Sequence, residues 1–304
     1  MKLLRLLPVL LILLWGCDSP STEIETNPMN RPEVQRVLFR PRTAARTPLP
    51  PGAADIDVAV APGVLIGCRL FTADKAAPTI LFFHGNGEIV SDYDDIGLLY
   101  LNVGLNFLVV DYRGYGWSGG SPSFATVLAD SHALYDHLKQ HLQTNGYNST
   151  LFLMGRSLGS ASAIELAAAH NAEISGLIIE SGFALTLPLA ETLGLGEMLK
   201  DVTVTEEQTF NNAGKISTVT KPTFLLHGQK DTLIPLWQAE KLHAESGARN
   251  KELQIVPGAE HNSLIAVGGK HYFLAINRFV RQVTGADDWR TRRKQFKKQQ
   301  NAQP

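Results

Sequence analysis

The sequence predicts an α/β fold, a mostly parallel central sheet flanked by helices, with a small cap inserted late in the chain. Two observations carry this. From about residue 79 to residue 283, short apolar runs alternate with longer amphipathic segments, the rhythm of a sheet covered on both faces. Between the apolar run Leu151–Met154 and the Ala-rich segment ending at Ala169 lies Gly155-Arg156-Ser157-Leu158-Gly159. A serine at so tight a strand-to-helix turn is held proud of the sheet in a strained backbone conformation. The following helix aims its free N–H groups at it, where they can stabilise a developing oxyanion.

The first residues read as a targeting segment. Lys2 and Arg5 precede an apolar run from Leu6 to Trp15, too short to span a bilayer comfortably. Leu14-Trp15-Gly16-Cys17 then resembles a bacterial lipobox, which makes residues 1–16 a lipoprotein-type signal peptide and Cys17 the lipidated N-terminus. Trp15 departs from the usual small or β-branched residue, and an ordinary signal peptide of a secreted protein or an uncleaved anchor, with Cys17 incidental, is the alternative. By analogy with enterobacterial lipoproteins, Asp18 favours the inner membrane, facing the periplasm. Residues 17–32 are polar and read as a flexible tether. The α/β domain is expected over 33–285, with the cap at about 183–220; an ordinary crossover helix with long loops is the competing reading there.

Asp55–Val60 and Val64–Phe71 alternate around Ala61-Pro62-Gly63 and predict a hairpin. Further strands are expected at Thr79–His84, Asn106–Asp111, Leu151–Met154, Ile174–Glu180, Thr223–His227 and Leu253–Val256. Helices are expected at Ile89–Val103, Phe124–Leu142, Pro235–Ser246 and Tyr272–Val283. Phe124, Val127, Leu128, Leu134, Leu138 and Leu142 lie mostly three or four apart, one face of a helix. Cys17 and Cys68 are the only cysteines, so lipidation of the first leaves Cys68 a small core residue without a disulfide.

A serine becomes a nucleophile when a histidine takes its proton and a carboxylate orients that histidine. Asp231 follows the strand ending at His227, and His261 follows the strand ending at Val256. The order Ser157, Asp231, His261 is the one an α/β-hydrolase uses. Glu180, after its own strand, is the competing acid. His84-Gly85-Asn86-Gly87 can present the Asn86 N–H to an oxyanion, with the Leu158 N–H as its partner. Asp111 and Arg113 read as loop braces. Tyr115 and Trp117 are candidates for an acyl pocket, with core packing the alternative.

Taken in order, His84-Gly85-Asn86-Gly87, Asp111-Tyr112-Arg113-Gly114-Tyr115-Gly116-Trp117-Ser118-Gly119, Gly155-Arg156-Ser157-Leu158-Gly159, Glu180-Ser181-Gly182-Phe183 and the Asp231 and His261 loops resemble the Bem46-like α/β-hydrolases. The resemblance runs from about Asp55 to Val283. It implies the α/β-hydrolase fold, a Ser-Asp-His triad and serine-hydrolase chemistry without a cofactor; the family includes membrane-associated lipases and depalmitoylating thioesterases.

The expected function is hydrolysis of a small-molecule or lipid ester or thioester through an acyl-enzyme, at a membrane reached through Cys17. A serine peptidase is the alternative within the fold, and a non-catalytic binding protein the alternative outside enzymes. The net charge of -1 gives no bias toward nucleic acid, and no metal-ligand cluster shows. The basic tail, 286–304, carries Arg290, Arg292, Arg293, Lys294, Lys297 and Lys298 and reads as a solvated segment or a contact for anionic headgroups. Acyl length and oligomeric state are not legible.

Overall fold

The computed structural model describes residues 27–148 and 150–286. Cys17, the signal segment and the basic residues from Arg290 lie outside the described residues. In chain order the elements are α1 (Pro32–Leu38), β1 (Ala53–Ala61), β2 (Val64–Phe71), β3 (Thr79–Phe83), α2 (Asp94–Asn102), β4 (Asn106–Val110), α3 (Phe124–Thr144), β5 (Leu151–Arg156) and α4 (Gly159–Ala169). There follow β6 (Gly176–Glu180), α5 (Thr186–Thr192), α6 (Gly196–Leu199), α7 (Asn212–Ile216), β7 (Thr223–Gly228), α8 (Leu236–Glu245), β8 (Lys251–Val256), α9 (Leu264–Gly268) and α10 (Lys270–Val283).

The strands form one 8-stranded sheet in the order β1-β2-β4-β3-β5-β6-β7-β8. β1, β2 and β4 pair antiparallel, and from β4 onward every pair is parallel. The apolar runs are continuous because both faces of each strand are buried. Along β3, Ile80 and Phe82 enter one core and Leu81 and Phe83 the other; Phe152 and Met154 of β5 part from Leu151 and Leu153 in the same way. Tyr272, Phe273, Ile276 and Phe279 of α10 cover one face, and α3 and α4 close the other with Leu134, Leu138 and Ile164.

The chain runs from β3 to β4 on one side and then returns to β5 on the other. The ends of β3 and β5 flank this switch point, where open α/β sheets hold their ligands. Phe83 pairs with Gly155, so the loop after β3 and the turn after β5 leave the sheet side by side. The close approach explains both glycines of the turn. A Cβ at Gly159 would stand 2.0 Å from the Phe83 carbonyl oxygen, and one at Gly155 would stand 2.3 Å from that of Gly159.

The segment between β6 and β7, called the cap below, is built from α5, α6, α7 and a short turn at Glu206–Gln208. The tether needs correcting at its C-terminal end. Met29 is fully buried, Asn27 Nδ2 donates to the Gln208 carbonyl at 2.7 Å, and Arg31 pairs with Asp201 at 2.8 Å. Residues 27–31 therefore pack on the domain. This segment and α1 together satisfy the start of α3: the Ala125 N–H donates to Asn30 Oδ1 and the Phe124 N–H to Gln35 Oε1 of α1. The polar residues that suggest a solvated linker are spent on helix ends and cap carbonyls.

Candidate active site

Ser157 sits between β5 and α4 with φ of 51°, a left-handed conformation that a side chain adopts only at a cost. Its N–H is held by the Glu180 carbonyl at 3.0 Å, and the Ser160 N–H and hydroxyl both donate to its carbonyl. The turn is over-determined, which keeps the strained conformer in place.

His261 Nε2 lies 2.9 Å from Ser157 Oγ, and its Nδ1 lies 2.7 Å from Asp231 Oδ2. A carboxylate can only accept, so Nδ1 carries the proton and Nε2 is free to accept from the serine hydroxyl. Asp231 is in turn held by the Leu233 and Ile234 N–H groups, which donate to its Oδ1 at 3.1 and 2.8 Å. This geometry can draw the proton from Ser157 and stabilise the imidazolium that results.

The competing acid is engaged elsewhere. Glu180 Oε2 accepts from the Tyr272 hydroxyl at 2.6 Å, and its Oε1 lies 3.4 Å from Arg156 Nε. Burial raises its carboxyl above the usual range, although Arg156 and the Tyr272 hydroxyl pull the other way. His227 is structural as well: its Nε2 donates to the Ile234 carbonyl at 2.7 Å, and burial lowers its pKa.

The N–H groups of Asn86 and Leu158 donate to no acceptor among the described residues. Asn86, Ser157 and Leu158 together line a cavity of about 60 Å³ whose other walls are Leu38, Phe183, Thr186, Leu189, Ala190, Leu193, Phe210, Leu233 and Ile234. Its lining is mostly apolar, and much of it comes from the cap. A larger cavity, about 610 Å³, lies within the cap and does not reach Ser157.

Tyr115 and Trp117 do not line the serine cavity. Tyr115 is buried, and its hydroxyl donates to Asn86 Oδ1 at 2.7 Å. Trp117 packs over Gly67 of the hairpin, donates from Nε1 to Asp57 Oδ1 at 3.1 Å, and lies beneath the Arg46 and Arg69 guanidinium groups. Gly67 opens the space that takes the indole, a steric match invisible in the motif itself. Asp111 and Arg113 are braces, as expected. Asp111 Oδ1 accepts from the Val90 N–H and lies 3.1 Å from His84 Nε2, while Arg113 grips both oxygens of Asp130 at 2.7 Å.

Residues 74–193 match the hydrolase family described as serine aminopeptidase, S33. The alpha/beta hydrolase domain-containing protein WAV2 of Arabidopsis thaliana is 30% identical over 209 residues, which cover 64% of this chain and 67% of that protein. Protein bem46 of Schizosaccharomyces pombe is 30% identical over 209 residues, 68% of each chain. The chain belongs to the Bem46-like α/β-hydrolases. Among solved structures, an esterase of Pyrococcus furiosus superposes with a TM-score of 0.66 at 20% identity, covering 80% of this chain and 99% of that one. A soluble variant of monoglyceride lipase from Saccharomyces cerevisiae gives 0.61 at 18% identity, covering 78% and 97%. Both share the fold.

In this Bem46-like chain the sequence reading missed Arg156 and the groups around it. Arg156 pairs with Glu88, and its Nη2 donates to the His261 carbonyl at 3.1 Å and to Asn262 Oδ1 at 2.7 Å. Burial alone would raise Glu88, but Arg156, His84 and the Tyr93 hydroxyl outweigh it and hold its carboxyl below the usual range. One signal was available: an arginine at the end of a buried strand requires acidic partners. The cavity walls Leu38, Phe183 and Phe210 carried no such signal, since their apolar side chains read as core.

Proposed function

We propose that this chain is a serine hydrolase that cleaves a carboxylic ester or thioester through an acyl-enzyme. The observation that carries the reading is the Ser157–His261–Asp231 relay opening on an apolar cavity. Ser157 Oγ attacks the carbonyl carbon as His261 Nε2 takes its proton, and Asp231 stabilises the imidazolium. The oxyanion is received by the N–H groups of Asn86 and Leu158, at the N-terminus of α4. The tetrahedral intermediate collapses, the carbonyl re-forms, and the alcohol or thiol leaves with the proton from His261. Water then adds under the same base. The acid is released and Ser157 recovers its proton.

The apolar lining suits an acyl chain, and its small volume favours a short one. An aminopeptidase would call for a carboxylate to hold the substrate amine; the 60 Å³ cavity around Ser157 supplies none, and Glu88 and Glu180 in the neighbouring cavity are already paired with Arg156. Tethering to the membrane through lipidated Cys17 is part of the proposal. Asn27 is docked on the cap, and ten residues extend at most ~35 Å. A lipid at Cys17 would thus hold the cap near the membrane surface.

Fluorophosphonate labelling and a panel of p-nitrophenyl esters, thioesters and aminoacyl amides test the chemistry. Wild-type protein is expected to label and to hydrolyse esters or thioesters, and Ser157→Ala to do neither. Labelling that survives Ser157→Ala would refute the assignment, and an inert wild type would favour a non-catalytic binding protein. For the tether, Cys17→Ser is expected to release the protein from membranes or to leave an unprocessed precursor. A wild-type mature N-terminus that is unmodified and begins elsewhere would make this a secreted hydrolase.

A further inference from the structure

We infer that the side-chain amide of Asn86, braced by the Tyr115 hydroxyl and the backbone of Leu38 and Arg40, is a positioning device for the oxyanion-binding N–H. The inference rests on the serine-hydrolase reading and assigns a role to the N-terminal segment that precedes the sheet.

Asn86 stands between Gly85 and Gly87, and Gly87 has φ of 82°. A loop of this composition has little conformational preference of its own, so the direction of the Asn86 N–H must be set from outside. The amide provides the means. Its Oδ1 accepts from the Arg40 N–H at 2.8 Å and from the Tyr115 hydroxyl at 2.7 Å, and its Nδ2 donates to the Leu38 carbonyl at 2.9 Å. A main-chain N–H can only donate and a carbonyl only accept, so the amide has one possible orientation. It clasps the chain on both sides of Phe39, as a neighbouring strand would. The Arg40 N–H also reaches the Tyr115 oxygen at 3.0 Å, which closes a three-membered network.

The clasp has something firm to hold. Phe39 is buried, and α1 is anchored at its far end by Met29 and the Arg31–Asp201 pair and in its middle by the Gln35 bond to the start of α3. Leu38 contributes its carbonyl to the clasp and its side chain to the serine cavity. The segment before the sheet therefore walls the acyl cavity and orients the loop that receives the oxyanion. Tyr115, one of the candidate pocket residues, acts on the reaction through Asn86.

The test compares wild type, Asn86→Ala and Tyr115→Phe in steady-state ester hydrolysis and in binding of a boronic acid, which mimics the tetrahedral intermediate at the serine. Misplacing an oxyanion donor costs transition-state stabilisation and leaves ground-state binding intact, so Asn86→Ala is expected to lose ~10- to 100-fold in kcat with KM nearly unchanged. Boronate affinity should fall in parallel. Tyr115→Phe removes one of the amide's three bonds, along with the Arg40 N–H contact to the hydroxyl, and should show a smaller loss of the same kind. An active wild type whose Asn86→Ala variant keeps its kcat would overturn this inference alone. An inert wild type would overturn the hydrolase reading and this inference with it. If Asn86→Ala does not fold, Tyr115→Phe decides, and unchanged kcat and boronate affinity in that variant would overturn the inference.

Discussion

Arg156 Nη2 donates to the main-chain carbonyl of His261 at 3.1 Å, tying the residue before the nucleophile to the residue that activates it. The same guanidinium faces the half-buried Glu88 and the buried Glu180, so it fixes the histidine loop and balances both carboxylates at once. Replacing Arg156 by Ala should cost about 3 kcal/mol of stability, because it leaves the buried Glu180 carboxylate and the half-buried Glu88 without their cation. Arg156→Lys keeps the charge but loses the planar fork; it is expected to fold and to lose ~10-fold in kcat through a looser His261 loop. Thermal melts and steady-state kinetics on the two variants check this, and a Lys variant with wild-type kcat would dissociate the loop contact from catalysis.

The acid of the relay can be decided by two isosteric changes. Asp231→Asn is expected to lower kcat by ~10⁴, because the amide removes the charge beside Nδ1 and can favour the wrong tautomer. Glu180→Gln keeps a carbonyl oxygen for the Tyr272 hydroxyl and should cost less than ~10-fold. The opposite ranking of kcat values would move the acid to Glu180.

Cavity size bears on substrate choice. With Phe210, Leu189 and Leu193 closing a space of about 60 Å³ around Ser157, acetyl and butyryl esters should be turned over faster than palmitoyl esters. Phe210→Ala should shift the profile toward longer chains, at a cost of ~3–5 kcal/mol for truncating a buried ring. kcat/KM across a chain-length series measures it, and a palmitoyl optimum in the wild type would show that the cavity does not limit chain length.

The helices behind the elbow are held by a pH-sensitive cluster. His132 of α3 and Lys215 of α7 both contact Glu165 of α4, at 3.1 and 2.6 Å. The His132 hydrogen bond, working against partial burial and helped by Lys215, pulls the Glu165 carboxyl down to about 2 from an ordinary 4.5. A depressed folded-state value means that the stabilisation is complete above the unfolded value of 4.5 and is lost as pH falls toward 2. The site is partly solvated, so the contribution is at most ~1 kcal/mol. Denaturant melts of wild type and Glu165→Gln should differ at pH 6 and converge through that acid window. A difference that persists at the lowest pH would assign the effect to packing.

Much of the fold and the core of the site were legible in the residues themselves. The continuous apolar runs identified buried strands, because a strand covered on both faces has no polar positions to interrupt it. The small residues around Ser157 identified the turn, because any Cβ at Gly155 or Gly159 meets neighbouring backbone. The order of Ser157, Asp231 and His261 after their strands placed all three at the C-terminal ends of parallel strands. What the sequence could not decide depends on residues far apart in the chain. Asp231 rather than Glu180 faces His261 because Tyr272 and Arg156 draw Glu180 away. Tyr115 braces Asn86, and Trp117 fills the space over Gly67; both choices follow from the packing of the hairpin and the N-terminal segment. Residues 27–31 look like linker because their polar side chains have no local partners. Their partners lie on the cap and at the start of α3, and only the folded chain brings them within reach.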